Sequence, residues 1–103
     1  MTSMQSERTA PIAALDRLID VADGDTGQAR RVANFLLAWW NGEEWGHFPI
    51  ADLFGVDAPI AADMAALFSF LGQHDGAIYA DAFGRREAML RLAERWRGLD
   101  RAA

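Results

Sequence analysis

Residues 24–42 read GDTGQARRVANFLLAWWNG, and the way this stretch folds decides the rest of the chain. Asp25 and Thr26 have short polar side chains of the kind that cap a helix N-terminus. Gly42 is a residue that ends one. Between them Val32, Phe35, Leu36 and Trp39 recur at i, i+3, i+4 and i+7, with Leu37 and Trp40 beside them. Beyond Arg31, apolar side chains cover most of the circumference. A helix of that kind needs neighbours on several sides, so the flanking sequence has to supply them.

Upstream, Leu15, Leu18, Ile19 and Ala22 form one helical stripe, with Asp16, Arg17 and Asp20 on the opposite face. Pro11 suits its first turn, after Thr9 or Ala10, and Gly24 is expected to close it as a left-handed cap. Downstream, Gly42 to Phe48 reads as a loop, followed by Pro49 and by one helical turn from Ile50 to Phe54, stopped by Gly55. Asp57 and Pro59 open another helix. Its stripe is Ile60, Met64, Leu67, Phe68 and Leu71, with Phe70 off the stripe as a second contact face. Gly72, His74, Asp75 and Gly76 break it, and residues 77–84 form a loop around Tyr79 and Asp81. The last helix runs from about Arg85 to Arg97. Met89, Leu92, Ala93 and Trp96 face inward, and Glu87, Arg91 and Arg95 form a ladder facing water.

No alternating run and no Val/Ile/Thr cluster suggests a strand. The expected fold is therefore all-α: a compact single domain of four main helices plus a short helical turn, over residues 10–98. Residues 1–9 read as a flexible leader and 99–103 as a flexible tail.

The chain has 103 residues, half of them apolar, enough for one modest core. It has no cysteine, which excludes disulfides, thiolate metal sites and cysteine nucleophiles. No run approaches the roughly 18 apolar residues of a membrane span, and the polar N-terminus lacks a signal-peptide core. The expected location is cytoplasmic, with no membrane partner. The net charge of −5 argues mildly against nucleic acid. Its distribution is uneven. Residues 1–81 hold twelve acids against four arginines, whereas residues 82–103 hold six arginines against three acids. The basic segment either docks on the acidic remainder of the chain or faces an acidic partner.

Chemistry-bearing patterns are sparse. Glu44 and His47 have the Glu-x-x-His spacing of carboxylate-bridged metal bundles, with Glu43 and Asp52 nearby. One such pair in a glycine-broken segment reads as a solvated loop, so neither a metal nor a cofactor is expected. Asp25-Thr26-Gly27 reads as a turn and cap between helices. Paired acids (Asp23 with Asp25, Glu43 with Glu44) face water in the same reading. No nucleophile elbow or phosphate-binding glycine loop is present, and no catalytic residue is assigned. Trp39, Trp40 and Trp96 are expected in the core. Trp45, Phe48 and Phe70 are not obviously used by the helical stripes, and with Glu43 and Glu44 they are the candidate partner-binding residues. Arg85, Arg86, Arg91 and Arg95 are a candidate anion- or partner-contact set. Arg30 and Arg31 are expected to pair with nearby acids.

The blocks GDTGQARRVANFLLAWWNGEEWGHF (24–48) and ADLFGVDAPIAADM (51–64), with the tail YADAFG…RLAERWR, carry a resemblance. Over about Leu15 to Arg97 the chain resembles a family of small proteobacterial proteins of unknown function found on plasmids, phages and integrated elements. The resemblance implies a mobile-element setting and no activity. With the missing chemistry, the expectation is a non-enzymatic protein-binding accessory protein, an inhibitor or modulator of a host factor such as a defence complex. Its partner is a protein, and a homodimer is the simplest form. The alternative is a nucleic-acid-associated regulator working through the C-terminal arginines.

Overall fold

Thr26 starts the central helix as its position suggests: its Oγ1 accepts the Ala29 N–H at 3.0 Å. The computed structural model describes residues 4–98. Four long helices, α1 (Met4–Ala22), α2 (Gly27–Trp40), α4 (Ala58–Gln73) and α5 (Arg86–Arg97), carry the fold. A one-turn helix, α3 (Gly42–Trp45), and two 3-10 turns, Ile50–Gly55 and Ala80–Phe83, join them. No strand occurs among the described residues. Also among the described residues, no helix is long and apolar enough to cross a membrane.

Helices α1 and α2 pack against each other and share the core. Helix α1 is also flanked by α4 and α5, and α2 by α5, α3 and the first 3-10 turn. The buried set follows the expected stripes: Leu15, Leu18, Ile19 and Ala22 from α1, Val32, Leu36 and Leu37 from α2, Met64 and Leu67 from α4, and Met89, Leu92 and Ala93 from α5. Leu36 and Leu37 are adjacent and both fully buried, which is possible only because α2 has helices on more than one side.

Several boundaries differ from the sequence reading. Helix α1 begins at Met4, so Pro11 lies inside it and costs one intrahelical hydrogen bond. The leader assigned to residues 1–9 is thus helical from Met4. Residues 1–3, and the tail 99–103 with Arg101, lie outside the described residues. Gly24 is not left-handed; the left-handed glycines are Gly76, Gly84 and Gly98, and Gly98 caps α5. Gly42 does not end α2. Asn41 does, with φ −153° and ψ 77°, and its Oδ1 then accepts the Glu44 N–H to start α3 inside the expected loop. Asp57 precedes α4 without a side-chain cap bond; instead its N–H donates to Gln28 Oε1 at 2.6 Å. Arg31 meets the Gly55 carbonyl at 3.4 Å and not an acid. A β-carbon on Gly55 would stand 2.6 Å from Arg31 Nε, so a larger residue in this turn would displace the end of the arginine side chain from the Gly55 carbonyl.

The tryptophans expected in the core are half-buried. Each lies along a seam and donates its indole N–H outward: Trp39 to the Ile78 carbonyl, Trp40 to Asp81 Oδ1 and Trp96 to the Ala22 carbonyl, all within 2.9 Å. An indole is large and has one donor to satisfy, so a seam between helix and loop suits it better than a closed core.

The C-terminal arginines dock on the acidic remainder of the chain. Arg85 grips Asp16 through two bonds, Nε–Oδ1 at 2.7 Å and Nη2–Oδ2 at 2.9 Å. The Arg85 guanidinium hydrogen-bonds the Asp16 carboxylate and holds it below the usual carboxylate range. A carboxyl whose folded value is depressed contributes stability above its unfolded value and loses it as pH falls through the folded one. Asp16→Asn should therefore flatten acid-side unfolding below about pH 4. The pair is a third to a half exposed, so the effect is under about 1 kcal/mol. Urea titrations of both proteins from neutral pH downward check it, and parallel curves would refute it.

Candidate functional site

Helix α4, APIAADMAALFSFLGQ, has one charged side chain, Asp63. That carboxylate is tied toward α1 by Arg17, through bonds of 2.9 Å from Nε and Nη2, which raise the arginine from its ordinary value. Apart from Gln73 at its end, the rest of the helix is apolar or small around its whole circumference. Such a helix is ordinarily covered on all sides, yet this one packs closely on α1 and makes only slight contacts with the other long helices. Met64 and Leu67 are buried, while Ala65, Ala66, Phe68, Ser69 and Gly72 are exposed.

Phe68, placed in the core stripe by its spacing, is 66% exposed. One covering helix buries a narrower stripe than the spacing implied, and Phe68 lies about 100° around the axis from Leu67. Phe70, placed off the stripe, is half-buried, its ring 6.0 Å from Phe83 and 5.9 Å from His74. It closes the loop after α4 and is not an open anchor.

Beside α4 the surface is hollowed. Phe35, Ala38 and Trp39 of α2 form one wall, and Phe68, Leu71 and Gly72 of α4 the other, around a space of about 470 Å³. A second hollow of about 250 Å³ adjoins it, walled by Leu53, Met64, Ala65 and Ser69. Phe35, Phe48, Ile50 and Phe68 border both. Phe48 is fixed edge-on to Phe35, ring centres 5.3 Å apart. Ile50 of the 3-10 turn stands 74% exposed at the border of the two hollows, while Phe54 of the same turn, 87% exposed, lines neither. No charged side chain lines either hollow.

The candidate residues from the sequence thus separate. Phe48 belongs to this face. Trp45 is half-buried against Trp40, ring centres 5.5 Å apart, and its carbonyl accepts Arg97 Nε at 3.0 Å, so it clamps α3 to the body. Glu43 and Glu44 are exposed on α3 and border neither hollow. Ile50 and Phe68 also belong to the apolar face and were not candidates from the sequence; for Phe68 the signal was a 16-residue helix with a single charge.

The arginine set pairs within its own chain at the surface. Besides Arg85, Arg86 lies 3.7 Å from Asp81, Arg91 meets Asp23 at 3.4 Å, and Arg95 donates to the Gly24 carbonyl at 3.0 Å while lying over the Trp96 ring. Arg91 and Arg95 are exposed as the ladder implied, but they tie α5 to the α1–α2 turn. Burial pushes the Arg97 guanidinium down from its ordinary value, and Asn34 Oδ1 accepts from it at 2.6 Å. Among the described residues no group of three or more histidine, aspartate or glutamate side chains could hold a metal ion, and Glu44 and His47 both point to solvent.

Neither the curated proteins nor the solved structures contain a match to the sequence. A family model does match, over residues 12–97, a span that runs from α1 to the end of α5 and includes every residue of the α4 face. The chain belongs to the DUF7673 family, a family of unknown function.

Proposed function

We propose that this protein acts by contact and not by chemistry: a non-enzymatic binding protein whose working surface is the apolar face formed by α4, Phe48 and Ile50. The observation that carries the reading is Phe68, a large aromatic side chain left 66% exposed on a helix whose only charge is turned away. Contiguous exposed apolar surface of this kind marks interaction sites on soluble proteins. Aromatic residues beside a hollow are the usual anchors of an interface. The resemblance of the 24–48 block to proteins of plasmids and phages supports the finer reading, an accessory protein of a mobile element that modulates a host factor.

The competing reading, nucleic-acid association through the C-terminal arginines, is disfavoured because Arg85, Arg86, Arg91 and Arg95 already face partners in their own chain. No shift of duplex DNA is expected at about 50 mM salt, where phosphate contacts are strongest. A shift abolished by replacing Arg91 and Arg95 with alanine would reverse the ranking. For the preferred reading, wild type and Phe68→Glu are compared as baits in the native host. A protein held by wild type, lost with the variant and rebinding in purified form is expected. Equal recovery by both baits would count against the face.

A further inference from the structure

We infer that residues 46–57 form a strap that opens as one unit away from α2 and α4 while the four long helices stay packed, and that Gln28 and Arg31 are the clasp that holds it shut. The inference concerns how the apolar face is assembled and does not depend on what binds there.

The strap runs between two anchored points. Before it, α3 is fixed by Trp45 against Trp40 and by Arg97 at the Trp45 carbonyl. After it, α4 is fixed by the buried Met64 and Leu67 and by Arg17 on Asp63. Between these points no side chain is buried. Phe48, Leu53 and Val56 are half-buried against the core, and Phe48 meets Phe35 edge-on. Ile50 and Phe54 stand in solvent. A segment with few buried apolar contacts and exposed backbone hydrogen bonds opens at a free energy well below that of global unfolding.

Two hydrogen bonds tie the strap to α2, both at its C-terminal end. Gln28 Oε1 accepts the Asp57 N–H at 2.6 Å, and Arg31 Nη1 donates to the Gly55 carbonyl at 3.4 Å. Gln28 and Arg31 lie three residues apart near the start of α2, hence on one face of it. Each grips a backbone atom, so the clasp fixes the path of the chain whatever its side chains do. At the other end the Gly46 N–H bonds the Gly42 carbonyl of α3 at 3.1 Å. Releasing the clasp therefore frees the end that carries the 3-10 turn and leaves the first end with α3.

Phe48 and Ile50, which border both hollows, and Leu53, which lines the smaller one, all ride on the strap. The face beside α4 is complete when the strap is closed and loses this wall when it opens. Gln28 and Arg31 line neither hollow, yet they set how much of the face is present.

Native-state amide exchange of the purified full chain tests this, read residue by residue by NMR at urea concentrations below the unfolding transition. The reporters are the amides of Asp52, Leu53 and Phe54, which neither clasp residue touches; those of Leu36 and Leu37 report the core. In wild type the reporters should be protected, but about 100-fold or more below the core amides. They should share one urea slope, shallower than that of the core because opening exposes less surface than unfolding. Gln28→Ala removes one acceptor and should lower the protection of all three reporters by a common factor of about five, leaving Leu36 and Leu37 unchanged. Gly55→Ala attacks the other bond from the strap side, because its β-carbon would crowd Arg31 Nε. It should lower the same three reporters and also the Asp57 amide, whose bond to Gln28 it does not touch. Reporters as protected as the core would mean that the strap opens only with the whole fold, and reporters exchanging like an unstructured peptide would mean that it never closes; either result overturns the inference. So do clasp variants that leave the reporters unchanged, that lower the core amides by the same factor, or that shift the reporters by unequal factors, which is fraying and not the opening of a unit.

Discussion

Leu36→Ala should lower the unfolding free energy by about 2–5 kcal/mol. Leu36 is fully buried in the middle of α2, in the cluster that joins α1, α2, α4 and α5. Truncation removes the apolar transfer term and leaves a cavity that four helices meeting at one place cannot readily close. A domain of this size has only about 5–15 kcal/mol to lose, so the variant should unfold at a melting temperature lower by on the order of 10 °C or more. In urea the midpoint should fall with the slope unchanged, the sign of lost stability without a changed denatured state. The same truncation at Phe68 is a useful contrast. Phe68 is mostly exposed, so its truncation should change the unfolding free energy by no more than about 0.5 kcal/mol. A Leu36→Ala cost below about 0.5 kcal/mol, the range of surface changes, would mean that α2 is not the centre of the fold.

The fold was legible because apolar spacing on α1, α2 and α5 is read out directly: each lies against at least two neighbours, and its buried positions follow the 3.6-residue repeat. Helix α4 broke that rule. Its spacing predicts a stripe of five positions including Phe68, but one covering helix buries fewer, and a single chain gives no sign of how many neighbours a helix will have. The start of α1 lies before the proline that the spacing predicts in its first turn, for a related reason. Pro11 is favoured in a first turn, yet tertiary packing tolerates it inside a helix, with its ring buried. Asn41 was invisible as a boundary because it serves two helices at once, ending α2 and capping α3, while the neighbouring glycine drew attention to itself. The docking of the arginines was one of two outcomes the charge distribution allowed. Choosing between them needed the 69-residue separation of Arg85 and Asp16 to be closed, which local patterns do not encode.

The least expected contact is also the next most consequential. Asn34 is 4% exposed in the apolar run of α2, the one polar side chain so buried among the described residues. Its amide oxygen accepts Arg97 Nη2 at 2.6 Å, and the same guanidinium donates to the carbonyls of Trp45 at 3.0 Å and Trp96 at 3.1 Å. One arginine thus ties α2, α3 and the end of α5 together. Asn34→Leu keeps roughly the volume but leaves a partly buried cation one acceptor short, at a cost of about 1.5–3 kcal/mol. Arg97→Met leaves the Asn34 oxygen buried without its donor and releases the Trp45 carbonyl, at a cost of about 1–3 kcal/mol. Together the two should cost less than their sum, because two apolar side chains facing each other leave nothing unsatisfied, and the coupling should lie in the range of about 0.5–3 kcal/mol. Urea unfolding of the four proteins measures it. Amide exchange adds a second sign: α3 should lose protection in Arg97→Met but keep it in Asn34→Leu, where the bond to Trp45 survives. Additive costs would mean that water satisfies the amide and the guanidinium separately. In that case α3 would be held by the stacking of Trp45 on Trp40 and its Asn41 cap, and the position of α5 against α2 would be set by Met89, Leu92 and Ala93 with no polar contact to fix its register.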